Sequence, residues 1–182
     1  FTVRVTDKLG EALSNNPEYD ENSNRAFASA TNDIDRNSHD RVDYLNDGNH
    51  SENRRWTNWS PTPSSNPEVS AGVIFRENGK IVERTVAQAK LHFFADSGTD
   101  APSKLVLERY IGPDFEVPTY YSNYQAYDAA HPFNNPDNWE AVPYRADKDI
   151  EAGDEINVTF KAVKAKAMRW RMERKADKSG VA

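Results

Sequence analysis

Cysteine is absent from this 182-residue chain, and methionine occurs twice, histidine four times and glycine eight times. Without cysteine there is no disulfide framework and no thiolate metal cluster, so the fold rests on its core or on an oxygen-bound ion. His39, His50, His92 and His131 are scattered and lack the i, i+4 spacing of a helical zinc site. No apolar run approaches the roughly 18 residues that cross a bilayer as a helix. A G-x-S-x-G elbow, a P-loop and a G-x-G-x-x-G turn are also missing, which removes the serine-hydrolase and nucleotide-binding readings. The opening FTVRV carries neither an initiator methionine nor a leader pattern, as expected of a piece excised from a longer chain.

What is present is charge, turn residues and short apolar alternations. Acids outnumber bases 29 to 23 for a net charge of −6, and nothing in that balance demands an anionic partner. The length suits one domain able to bury roughly 70% of its unfolded surface. Phe1, Val3 and Val5 alternate with Thr2, Arg4 and Thr6 as in a half-buried strand. The run DENSN at 20–24 has no apolar residue, so residues 1–24 read as a strand and linker flank and residues 25–182 as the module proper. Within the module, strands are expected over 26–31, 55–59, 69–76, 80–86, 89–95, 104–110, 156–160 and 165–172. Asn78-Gly79 is the clearest hairpin signal, since it supplies the positive φ angles of a type I′ turn. Lys161 to Lys175 has helical propensity, yet Met168, Trp170 and Met172 alternate with Arg169, Arg171 and Glu173, the period of a strand with one buried face. Many short strands joined by turn clusters predict an all-β, antiparallel β-sandwich.

Between Pro118 and Trp139 the chain reads PTYYSNYQAYDAAHPFNNPDNW, setting Tyr120, Tyr121, Tyr124, Tyr127, Phe133 and Trp139 among Asn, Asp and Pro. With neither helical nor strand period, this is a long irregular loop. Its rings argue against disorder and suit a binding surface. A pyranose fits such a surface, because its C–H face stacks on a ring while its hydroxyls bond to Asn and Asp. The same segment reads equally as a loop folded over its own aromatics in a satellite core.

Tyr44 to Trp59, YLNDGNHSENRRWTNW, contains a second informative turn. Calcium takes about six to eight hard oxygens, which a tight turn can gather. Asp47 offers a carboxylate, Gly48 a permissive backbone, and Tyr44, Asn49 and Ser51 offer carbonyl or hydroxyl oxygens. The EF-hand pattern with its closing Glu is absent. Asp-Gly-Asn reads also as a plain hairpin or Asx-turn.

Five pieces then fall in register: AFASATNDID, DRVDYLNDGN, WTNW, NPDNWEAV and AKAMRWRMER. Over about residues 25–175 they resemble the galactose-binding-like domains of the discoidin or coagulation-factor type C superfamily, whose sugar-binding members include the family 32 modules. More narrowly, the chain is similar to the family 71 carbohydrate-binding modules, galactose- and lactose-recognising appendages of a large pneumococcal surface β-galactosidase. The resemblance implies a jelly-roll sandwich with a structural calcium near the Asp-Gly turn and a sugar site on loops at one end. Carried over, Asp47 is the liganding carboxylate, Tyr44 and Asn49 give carbonyls, and the next ligand falls on Ser51, Glu52 or Asn53. The family's closing acidic ligand has no counterpart before Ala182. The sugar-site positions fall on Asn32, Asp33, Asn58 and Trp59, with Trp56 and Trp139 in the core; Trp59 reads equally as a second core Trp. Many relatives grip the galactose hydroxyls with an arginine; the matching turn here is ADSGTD, so Asp96 or Lys104 is expected to substitute. Tyr120, Tyr121 or Tyr124 is expected to wall the site.

The function so implied is that of a non-catalytic module holding terminal β-galactose, of lactose or N-acetyllactosamine type, and tethering a larger secreted or surface glycosidase. It would be a monomeric unit of a multidomain extracellular chain, with no nucleic-acid partner and no membrane insertion. The rival is a protein- or anionic-surface-binding module, since residues 161–178 hold eight basic residues against Glu173 and Asp177. Alternating charges on a strand face over an acidic body account for that run more simply. Asp33 with Asp35, or Asp147 with Asp149, could serve as glycosidase carboxylates, but among 29 acids they read as solvated loop charges.

Overall fold

In the computed structural model, which describes residues 4–7, 24–32, 41–51, 53–118 and 130–182, the alternation near the C-terminus organises the architecture. Met168, Trp170 and Met172 lie on β12 (Ala167–Glu173) and enter one apolar layer. β12 is the centre of a five-stranded antiparallel sheet. It pairs with β3 (Glu68–Ile74) and β8 (Lys104–Tyr110), while β2 (Arg25–Ala28) and β9 (Trp139–Ala141) lie outside them. Trp170 stands opposite Ala71 on one side and Leu107 on the other, so the indole fills space that a methyl side chain leaves. Burying each large apolar side chain of this layer stabilises the fold by about 1.5–3 kcal/mol.

The second sheet runs β1 (Arg4–Asp7), β6 (Arg84–Leu91), β11 (Ile156–Ala165), β10 (Tyr144–Ala146), again antiparallel. Val86, Ala89, Leu91, Ile156 and Val158 supply its half of the core. Tyr144 bridges the layers: its ring meets Trp170 edge-on at 5.2 Å and its hydroxyl donates to the Leu105 carbonyl at 3.0 Å. The result is an all-β jelly-roll sandwich. β4 (Arg76–Glu77) and β5 (Lys80–Ile81) form the expected hairpin, with φ of 50° at Asn78 and 75° at Gly79. The last pairing is parallel, between β7 (Thr99–Asp100) and β13 (Gly180–Val181).

Four expected strands differ, the first of them, 26–31, ending at Ala28. Residues 55–59 are extended but belong to no sheet strand, because their polar groups are taken up by the C-terminal residues. The run 80–86 divides at Val82 and Glu83, where the Val82 N–H turns back to the Phe75 carbonyl. β6 stops at Leu91, short of residue 95.

The outer face of the five-stranded sheet is covered, and this settles part of the aromatic loop. Phe133 and Trp139 are buried with Phe27, Ile74 and Tyr110 in a second cluster, joined by Phe115 and Val117. Two 3-10 turns, Pro132–Asn134 and Pro136–Asn138, are capped by His131 and Asn135 and aim these rings inward. The segment therefore builds a satellite core at its C-terminal end, with Trp139 inside as expected. Tyr120, Tyr121, Tyr124 and Tyr127 lie outside the described residues.

Most of the basic run is internally paired. Arg169 is buried, its guanidinium 4.1 Å over the Trp139 ring and 2.6 Å from Glu108, whose other oxygen accepts from Arg171 at 2.9 Å. Arg171 also reaches Glu68, Lys166 reaches Asp114 and Lys175 reaches Asp100. A run whose arginines and lysines mostly face carboxylates of the same domain offers less net charge to an anionic surface.

Candidate functional site

Four separate segments converge because the C-terminal residues act as a strut. The Thr57 hydroxyl donates to the Val181 carbonyl at 2.7 Å and accepts from the Trp59 N–H at 3.0 Å. The Asn58 side-chain oxygen accepts from the Val181 N–H at 2.8 Å. On the other side, the N–H groups of Ser179 and Phe94 donate to the carbonyls of Gly98 and Ala182, and the Asn32 N–H donates to the Thr57 carbonyl. Residues 31–32, 55–59 and 94–100 are thereby held round a cleft of about 290 Å³, lined by Asn32, Arg55, Thr57, Trp59, Asp96, Ser97, Gly98 and Thr99.

Asp96 is the electrostatic anchor. One oxygen accepts from the N–H groups of Gly98 and Thr99, each at 2.8 Å, and from the Thr99 hydroxyl at 3.0 Å. The other faces the Arg55 guanidinium at 3.1 Å. Burial works to raise the carboxyl pKa, but these donors together with Arg55 outweigh it and hold Asp96 below the ordinary carboxylate value. Arg55 also lies 4.4 Å over the Phe94 ring, so its planar donors are fixed on one face and one edge. Trp59 is half-buried, and its ring edge rests on Gly98 so closely that a Cβ there would fall 2.4 Å from the indole nitrogen. The cleft thus sets an aromatic ring beside a fixed guanidinium, a carboxylate and an amide. Such a set suits a neutral polyhydroxyl ligand with one apolar face. Asp96 is the single carboxylate among the described lining residues.

Asn32, Trp59 and Asp96, expected from the sequence, come together in this cleft. Asn58 is adjacent, but its side chain is turned to the Val181 backbone. Lys104 begins β8, opposite Glu173, and does not line the cleft. Asp33 lies outside the described residues. Arg55 lines the cleft but has no part in the expectation from the sequence, which puts Asp96 or Lys104 in the place of the relatives' arginine. The available signal was the doublet Arg54-Arg55 ahead of the core Trp56, whose neighbours point in opposite directions, one to Asp47 and the other to Asp96. A wider groove of about 660 Å³ is lined by Arg109, Glu140, Pro143, Lys161 and Lys164 among others. Its described lining residues include no aromatic ring, and Arg109 is engaged by Glu140 at 2.5 Å.

The turn expected to hold calcium follows the 3-10 helix Val42–Asn46. Asp47 accepts from the Asn49 N–H at 2.8 Å with one oxygen and from Arg54 at 2.9 Å with the other, while the Asn49 side-chain oxygen accepts from the Ser51 N–H. Tyr44 stacks under Arg54. A carboxylate already matched by a guanidinium, with the Asn49 side-chain oxygen taken up by the Ser51 N–H, does not fit a divalent ion. Among the described residues, no group of three or more His, Asp or Glu converges as a ligand set. Glu52 lies outside them.

Comparison with known proteins adds the following. The family model for BgaA-like carbohydrate-binding modules, described as β-galactosidase-like galactose-binding domains, matches residues 26–182. A solved structure from Streptococcus pneumoniae, concerned with the β-galactosidase BgaA, is 94% identical with a TM-score of 0.84, over 88% of this chain and 92% of its own. No curated protein matches.

Proposed function

We propose that this chain, which belongs to the BgaA-like family of galactose-binding domains, holds a terminal β-galactosyl unit in the cleft between Trp59 and the Arg55–Asp96 pair. The observation that carries the reading is that pair standing beside a half-buried indole. A cleft of about 290 Å³ sits at the small end of ligand pockets and suits one sugar ring rather than an extended oligosaccharide. In galactose the axial O4 leaves one face of the ring as a continuous C–H patch for the indole. The same O4 projects from the opposite face of the ring, where Arg55 donates and Asp96 accepts. Glucose, with O4 equatorial, cannot satisfy both contacts, and a polar group left unpaired in the site disfavours it.

A single shallow site gives a dissociation constant on the order of 0.1 to 1 mM, since one stacking contact and a few hydrogen bonds offset the ligand's lost freedom. Acting as one module of a longer extracellular or surface-attached β-galactosidase, it would gain avidity from neighbouring modules. The reading is non-catalytic: glycoside hydrolysis uses two carboxylates facing one bond, and Asp96 stands alone among the described lining residues. Calorimetric titration with galactose, lactose and glucose tests it. Millimolar or tighter binding of the two galactosides, lost in Trp59→Ala and Arg55→Ala, is expected; indifference to every galactoside, or equal affinity for glucose, refutes it.

A further inference from the structure

We infer that the Arg54 guanidinium performs in the 47–54 loop the closure that calcium was expected to perform, so that this domain is stable without a bound metal. The Asp47 side chain is 3% exposed and Arg54 is 32% exposed, so the acceptor is enclosed while its cation covers it from outside. The ion pair at 2.9 Å joins the two ends of the loop. The loop interior is closed by its own groups: Asn49 and Ser51 bond in sequence, and the Arg54 N–H donates to the Ser51 carbonyl at 3.0 Å.

The charge balance reinforces the geometry. Arg54 lies 4.3 Å over the Tyr44 ring and Arg41 lies 5.6 Å from the same ring, with Arg41 paired to Asp43 at 2.9 Å. Among the described residues, Asp43 and Asp47 therefore already face Arg41 and Arg54 before any ion arrives. A calcium ion would have to displace Arg54 from Asp47 and then remain beside two positive groups in a partly buried site, where repulsion is weakly screened. Calcium sites of useful affinity gather several anionic or carbonyl oxygens, and here the one enclosed carboxylate is already used.

The test is thermal melting of the dialysed domain in about 5 mM EDTA and about 5 mM calcium chloride, with calcium content measured by plasma mass spectrometry. The expected results are melting temperatures within about 1 °C of each other and far less than one equivalent of calcium. An ion bound with a dissociation constant of about 10 μM would instead raise the melting temperature by on the order of 10 °C at that concentration, which overturns the inference. In the same buffers Arg54→Gln is expected to lower the melting temperature by about 5 °C, because it leaves an enclosed carboxylate without its cation. An unchanged melting temperature in that variant overturns it as well. Neither readout involves galactose, so the outcome is independent of the sugar-binding proposal.

Discussion

Gly98→Ala isolates the role of the indole, because the substitution adds one methyl group in a backbone conformation open to alanine. The added Cβ would stand 2.4 Å from the Trp59 indole nitrogen and 2.6 Å from its neighbouring carbon. Ordinary contact needs roughly 1 Å more, so either the ring swings out or the turn shifts. The turn is the stiffer partner: the Gly98 N–H is bound to Asp96 and its carbonyl receives the N–H groups of Ser179 and Gly180. The half-buried ring therefore moves. Relieved in this way, overpacking costs about 1 kcal/mol, the low end of its range, and lowers the melting temperature by about 2–4 °C. Loss of a fitted aromatic contact is worth about 0.5–1.5 kcal/mol, so lactose affinity should fall roughly two- to thirteenfold. Calorimetry at high ligand concentration, checked by nuclear magnetic resonance titration, reads that change. The same substitution placed in Trp59→Ala should cost nothing further in stability, since the clash has gone. An equal stability loss in both backgrounds, or wild-type lactose binding by Gly98→Ala, refutes the reasoning.

Arg55→Lys keeps the charge but loses the planar fork and the stacking on Phe94; lactose affinity should drop at least about tenfold with little change in melting temperature, as followed by titration and calorimetry. Glu108→Ala strands the buried Arg169 and deprives Arg171, so a loss of about 3 kcal/mol and a melting temperature lower by roughly 6–12 °C are expected in thermal unfolding. For Asp96, the depressed folded pKa means that its contribution to stability is complete above the ordinary value of 3.8 and is lost as the pH falls through the lower, folded value. The melting-temperature gap between wild type and Asp96→Asn should thus be constant at neutral pH and close only in strong acid; a gap that closes nearer neutrality contradicts the account.

How much was legible depended on whether a feature is local. The period of Met168, Trp170 and Met172 identified a strand against its helical propensity, because burial on one face is a property of spacing alone. Asn78-Gly79 identified its hairpin for the same reason. The run 55–59 looked like a strand and is not one, since its partners are Val181 and Asn32, remote in the chain. Trp139 was legible as a core residue, whereas the loop around Phe133 had two readings, and only the covering of the sheet's outer face selects the satellite core.

The residues of the chain by themselves determined the class of fold, the buried Trp56 and the candidates Asn32, Trp59 and Asp96, because alternation, turn chemistry and family pattern are written in order along the sequence. Tertiary structure alone decided that Arg55 meets Asp96 while Arg54 meets Asp47, and that the last four residues tie the cleft together. Those choices depend on which charges face each other across loops far apart in sequence, and Coulomb attraction acts through distance in space, not along the chain.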